Sequence, residues 1–199
     1  MIKFRNTLSI KSEGWQDGYG TFTYSFRDKD RVMETARLIS EKFKTGDFDN
    51  YFGLVSNEDV MKMISGKAIS PEEAQTNFEK ILSINDLNSE IGYYTVRKKE
   101  TDEFIGLYKI IMIENGEAEI GYSLLPDFWN MGYGSEISEE LVKYAKTIPQ
   151  INCLVAITDP ENYASKRILK KSGFKSVKIC EIDNLPSEIF KLVLKNANP

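Results

Sequence analysis

Histidine is missing from all 199 residues. That absence removes a His general base, Ser-His and Cys-His nucleophiles and His-ligated zinc. Acid–base work therefore falls to Asp, Glu, Tyr, Ser, a terminus or ordered water. Cysteine is nearly absent as well, since Cys153 and Cys180 stand alone and too far apart for a CxxC pair. Cys153 lies in the alternating run Ile151-Cys153-Val155-Ile157, where a small buried hydrophobe fits. A reducing compartment and no metal site are the expectations. No apolar run approaches 18 residues, and Met1-Ile2-Lys3-Phe4-Arg5-Asn6 has no apolar signal core. These features predict a soluble, cytoplasmic protein without membrane contact. A basic excess is lacking too: 26 Lys and Arg face 30 Asp and Glu, a net charge of −4. Phosphate neutralisation needs a basic face, so no nucleic-acid partner is expected.

What is present is ordinary for a folded domain, with 41% hydrophobic and 28% charged residues. A chain of this length suits one domain with room for an appendage, and needs no disulfide or metal staple. The expected division is an N-terminal extension over residues 1–32 and one domain over 33–199. Within the extension, aromatic and small polar residues alternate over 18–26, which predicts a strand after a turn at 11–14.

Residues 37–40 read as a strand, and a helix begins at Thr45-Gly46-Asp47 with Phe48, Phe52 and Val55 at helical spacing. Val60, Met61, Met63 and Ile64 mark a further short helical piece. Ser70 as N-cap, Pro71 at the first helical position and Glu73 as the capping-box acid start the next helix. Its apolar stripe is Ala74, Phe78, Ile81 and Leu82. Period-two patterning then predicts strands over 90–98, 103–114 and 118–125, with turns at Thr101-Asp102 and Asn115-Gly116. A helix follows over 132–145, then a strand over 151–158 and a helix over 161–172 closed by Gly173. Strands over 175–182 and 188–194 complete the chain. The fold class is α/β with a mixed, mostly antiparallel sheet of about six to seven strands and helices on both faces.

Two segments carry chemistry. In Leu124-Leu125-Pro126-Asp127-Phe128-Trp129-Asn130-Met131-Gly132-Tyr133-Gly134-Ser135-Glu136 a strand ends and two glycines open a helix. Glycines permit close backbone approach, and unpaired N–H groups at a helix start favour an anion. It is not a dinucleotide fingerprint, because Ile137 stands where the third glycine belongs. A plain turn and helix cap would use the same residues. In Asn162-Tyr163-Ala164-Ser165 through Lys171-Ser172-Gly173-Phe174, Asn162 reads as a cap and Gly173 as a stop.

Together, in this order, residues 124–136 and 162–174 resemble the GNAT superfamily of acyl-CoA-dependent N-acyltransferases. Ala118-Glu119-Ile120-Gly121-Tyr122 and Phe128-Trp129-Asn130-Met131-Gly132-Tyr133-Gly134 are similar to the branch holding the ribosomal-protein alanine and serine N-terminal acetyltransferases. Met33-Glu34-Thr35-Ala36-Arg37-Leu38 looks like the usual domain start, so the resemblance spans about 34–196.

The resemblance implies a sheet splayed between its fourth and fifth strands, with acetyl-CoA as co-substrate in the gap. Leu124 and Leu125 would offer backbone groups to the pantetheine, Asn130, Met131, Gly132, Tyr133, Gly134 and Ser135 would cradle the pyrophosphate, and Asn162 would hold a pantetheine amide. It also implies direct attack of a neutral amine on the thioester. The Tyr that donates a proton in many relatives is Leu169 here, which leaves Ser165 as donor, with Tyr163 as a local alternative. Glu119, through water, is the first candidate base and Asp159 the second, although Glu119 reads equally as a salt-bridge partner. The acceptor would be an amine-bearing small molecule or a protein N-terminus, and the chain a monomer or homodimer. Asp47, Asp49, Glu58 and Asp59 would draw a cationic acceptor, or would simply form a solvated face. A non-catalytic acyl-CoA-binding module and an interaction domain with a degenerate cleft stay open as other classes.

Overall fold

A computed structural model describes residues 31–87 and 90–194. The strand and turn expected within residues 1–30 lie outside the described residues. Eight strands form one sheet: β1 (Arg31–Glu34), β2 (Leu38–Lys42), β3 (Gly92–Lys98), β4 (Phe104–Met112), β5 (Glu117–Leu124), β6 (Cys153–Thr158), β7 (Lys175–Ile182) and β8 (Leu185–Val193). Their order is β1-β2-β3-β4-β5-β6-β8-β7, and only β5 and β6 run parallel. The sheet thus has one strand more than the six to seven expected. The addition is β1, whose four residues carry too little alternation to announce themselves and which folds back on β2.

Among the described residues five α-helices accompany the sheet: α1 (Phe48–Val55), α2 (Glu58–Met61), α3 (Pro71–Leu87), α4 (Tyr133–Ala145) and α5 (Tyr163–Lys171). Alternation along the strands divides the apolar side chains into two cores. Tyr94, Ile110, Ile120 and Ala156 pack with Ile137, Leu141 and Leu169 from α4 and α5. Leu107 and Phe104 pack on the opposite face with Tyr51, Leu54, Val60 and Phe78 from α1, α2 and α3. Cys153 is buried and unbridged, as its place in the alternating run requires.

Local chemistry sets the element ends. Asn115 and Gly116 both have positive φ, the geometry of a tight hairpin turn, and Asn152 Nδ2 donates to the Asn115 carbonyl. Ser70 Oγ accepts from the Glu73 amide at 3.2 Å, so α3 starts where expected. The carboxylate that answers Ser70 is Glu72's, however, held below its usual range by its own backbone amide and the Ser70 hydroxyl. β8 begins at Leu185, three residues before the expected strand. Asp183 and Asn184 form a two-residue turn with positive φ at both, and Pro186, a poor strand signal, is accommodated opposite Glu181. No helix among the described residues is long and apolar enough to cross a membrane.

Candidate active site

β5 and β6 pair only from Glu117–Cys153 to Ile120–Ala156. Beyond that point β5 stays with β4 as far as Leu124, while β6 stays with β8 as far as Thr158. The two strands therefore part beyond Ile120 and Ala156. The chain leaves β5 through a short 3-10 turn (Pro126–Phe128), and Asn130 and Gly132 both take left-handed conformations at φ 62° and 84°. Gly132 caps α4 without a side-chain bond, so the first N–H groups of α4 have neither an intrahelical nor a side-chain acceptor. A Cβ on Gly134 would stand 3.1 Å from both Ile168 Cδ1 and Tyr122 Cε2, closer than the site tolerates easily.

These groups line a cleft of about 770 Å³, within the usual range of ligand pockets at about 300–1,000 Å³. Leu124, Asn130, Gly132, Tyr133, Gly134, Ser135, Asn162 and Ser165 of the expected set face it together. Met131 and Leu125 do not line it. The Leu124 carbonyl accepts from Trp129 Nε1 at 2.7 Å, and the Leu125 amide donates to Ile105 at 2.9 Å, so both are engaged within the protein. Asn162 caps α5 by accepting from the Ser165 amide at 3.1 Å.

Of the proposed proton-transfer residues, only Ser165 reaches the cleft. It is fully buried, beside the Tyr122 phenol, whose pKa burial pushes up and the Ser165 hydroxyl partly draws back. Tyr163 is 68% exposed and outside the lining, with Lys166 Nζ over its ring at 5.5 Å. Leu169 is buried in the core. Asp159 Oδ1 accepts from the Glu161 amide at 2.8 Å in the turn before α5. Glu119 lies on the opposite face of β5, 1% exposed, with its Oε1 2.9 Å from the fully buried Lys109 Nζ. Burial pushes the Tyr93 phenol up, and the Glu119 charge pushes it further.

Several contributors were not singled out by the sequence for the roles they take. Lys62, Arg167 and Lys171 line the cleft and give it a positive rim, with Asp59 as the opposing charge. Arg37, from the β1–β2 turn, donates to the Met131 carbonyl at 3.0 Å and lies over the Tyr133 ring. Glu136 holds it there, bonded to Arg37 Nε at 2.7 Å, to the Arg37 amide and to Thr35 Oγ1. Desolvation pushes Glu136 upward, but these bonds win and hold its carboxyl below the usual range. These contacts tie the loop before α4 to the β1–β2 turn.

A mixed sheet opened beside one parallel pair, with an anion-receptive helix start in the opening, defines the class of fold. Residues 37–175 match the acetyltransferase (GNAT) domain family. The N-acetyltransferase p20 of Bacillus licheniformis, described as uncharacterized, is 34% identical over 149 residues, 72% of this chain and 82% of its own length. The chain belongs to the GNAT acetyltransferase family. RimL, a ribosomal L7/L12 alpha-N-protein acetyltransferase solved with coenzyme A, superposes with a TM-score of 0.71 at 15% identity, over 83% of this chain and 99% of that one. Spermidine N-acetyltransferase of Vibrio cholerae, solved with CoA and spermine, gives 0.67 at 15% identity, over 80% and 96%. At such identities these two likenesses concern the fold.

Proposed function

We propose that this chain is an acetyl-CoA-dependent N-acetyltransferase that moves an acetyl group to a primary amine. The observation that carries this reading is the cleft at the splay of β5 and β6, where uncapped N–H groups of α4 and three cationic side chains converge. Gly132, Tyr133, Gly134 and Ser135 would hold the pyrophosphate, and the close approach at Gly134 suits a backbone that must meet it. Lys62, Arg167 and Lys171 would neutralise the remaining phosphate charge. When bound, acetyl-CoA supplies the activated acyl group as a thioester. A relative named as an N-acetyltransferase, and structural neighbours named for acetylating a protein terminus or spermidine, support an amine as acceptor.

The neutral amine nitrogen attacks the thioester carbonyl carbon, the C–N bond forms, and the C–S bond breaks with its electron pair on sulfur. Ser165 donates a proton toward that sulfur and regains one from water in the cleft it lines. The proton lost by the amine passes through the Tyr93 phenol toward Glu119. An α-amine of pKa about 8 is mostly protonated at neutral pH, so this removal matters there.

Thiol release from acetyl-CoA, measured over a panel of amines, tests the reading. The wild-type chain is expected to release thiol only when an amine is added. Ser165→Ala should lower kcat by about 10- to 100-fold while leaving the acetyl-CoA dissociation constant within about twofold, because a donor to the departing sulfur acts in the transition state. Cofactor binding without amine-dependent thiol release would instead favour a non-catalytic binding module.

A further inference from the structure

A second cavity, of about 290 Å³, lies on the opposite face of the sheet beneath α1 and α3. We propose that it seats the acceptor and selects a primary amine bearing one compact apolar group over a polyamine. The proposal rests on the acetyl-transfer reading above.

Placement is the first argument. The segment from Asp59 to Ile64 separates the two cavities: Asp59, Lys62 and Met63 line the cofactor cleft, while Met61 and Ile64 line the second cavity. A transfer with no covalent enzyme species needs the two reactants brought together, and residues of this one short segment line both cavities. Leu107 in the cavity floor is the direct cross-strand partner of Ser123, in the stretch where β5 has left β6.

Lining chemistry is the second. Val55, Ile64, Ile69, Ile81, Leu107 and Leu185 make most of the wall apolar. Tyr51, Tyr93 and Glu73 add polar groups to the lining. Burial pushes the Tyr51 phenol up, and the Tyr93 and Glu73 charges push it further. Phenols that stay neutral can bond an amine without adding charge. Among the other charged groups in the lining, Asp183 joins Glu73 against Lys67 and Lys80, which leaves no net charge for a chain of ammonium groups.

Charge placement elsewhere agrees. Asp47, one of the acids expected to attract a cationic acceptor, is paired with Arg97 at 3.1 Å. Asp59 faces the cofactor cleft, and Asp49 and Glu58 line neither cavity. The volume stands at the small end of ligand pockets, in keeping with a small acceptor.

The experiment compares kcat/KM for leucinamide, glycinamide and spermidine with the full chain and acetyl-CoA. Leucinamide is expected to lead both by tenfold or more, since a few methylenes in an apolar pocket discriminate about 10–200-fold. Ala68→Phe, at a partly exposed loop residue of the lining, should erase that lead while acetyl-CoA still raises the melting temperature as in the wild type. Spermidine matching leucinamide overturns the proposal. So does a leucinamide preference that survives Ala68→Phe, or a chain that acetyl-CoA stabilises but that acetylates none of the three. The wild-type ranking decides by itself if the variant does not fold. Failure of acetyl-CoA to stabilise the wild-type chain would remove the acetyl-transfer reading, and this one with it.

Discussion

Replacing Glu119 separates two roles that its position allows. Lys109 and Glu119 sit on one face of neighbouring strands with their charged atoms 2.9 Å apart and essentially no exposure. Glu119→Gln removes the charge but not the volume, and takes the carboxylate away from the buried Lys109 ammonium. Breaking a buried pair in this way costs about 3–5 kcal/mol. At roughly 2–4 °C per kcal/mol for a chain of this size, the melting temperature should fall by about 6–20 °C. Urea unfolding at pH 7, followed by circular dichroism, reads the loss directly. A cost under about 1 kcal/mol would refute the claim that this buried pair stabilises the fold.

The double variant Lys109→Met, Glu119→Leu then tells structure from chemistry. Apolar residues of similar volume at both positions are expected to be neutral or stabilising relative to the ion pair. If Glu119 accepts the amine proton through Tyr93, this stable variant still loses rate at neutral pH. It regains rate as pH rises past the acceptor's own pKa, because the amine then arrives neutral. A stable double variant with a wild-type rate and pH profile would confine Glu119 to holding β4 and β5 together.

The sequence displays what is local. Ile137, Leu141 and Ala145 recur at helical spacing and all three are buried in α4. The alternation along 118–125 separates the β5 residues that face α4 from those that face α1 and α3. Gly132 and Gly134 are legible for the same reason, since a positive φ and a 3.1 Å approach are demands that only glycine meets easily. Hidden features depend on long-range proximity. Arg37 reaches Glu136 across 99 residues, and nothing in Thr35-Ala36-Arg37 marks it as a partner of the loop before α4. Tyr122 reads as one more inward strand residue until Ser165 is placed beside its hydroxyl. Tyr163 and Ser165 are two residues apart, but a 100° turn per residue sends one to solvent and the other into the cleft. Glu73 belongs to a capping pattern by sequence, yet its side chain lines the second cavity. Helical phase could have flagged that last difference, because Glu73 and Asn77 share a face with Lys80, and all three line the cavity.

Two further perturbations test the cofactor loop. Acetyl-CoA at 100 times its dissociation constant should stabilise the wild-type chain by about 2.7 kcal/mol in thermal unfolding. Gly134→Val should abolish that shift, because its side chain would enter the space held by Ile168 and Tyr122; a normal shift would mean the phosphates lie elsewhere. Glu136→Gln weakens the clamp on Arg37 and should cost about 1–2 kcal/mol at pH 7, a figure moderated by the half-exposed guanidinium. Its pH dependence has a definite sign. The folded carboxyl titrates below its unfolded value, so its contribution is present above the ordinary carboxylate range and fades as pH falls through the folded value. Urea unfolding of wild type and Glu136→Gln across the acid range should therefore show a gap that is constant near neutrality. The gap should narrow below about pH 4.3, the usual carboxyl value, and close at lower pH. A gap that stayed constant into acid would show that the Glu136 charge contributes nothing to the clamp, leaving the loop to be held by the neutral contacts of Tyr133 and Phe128.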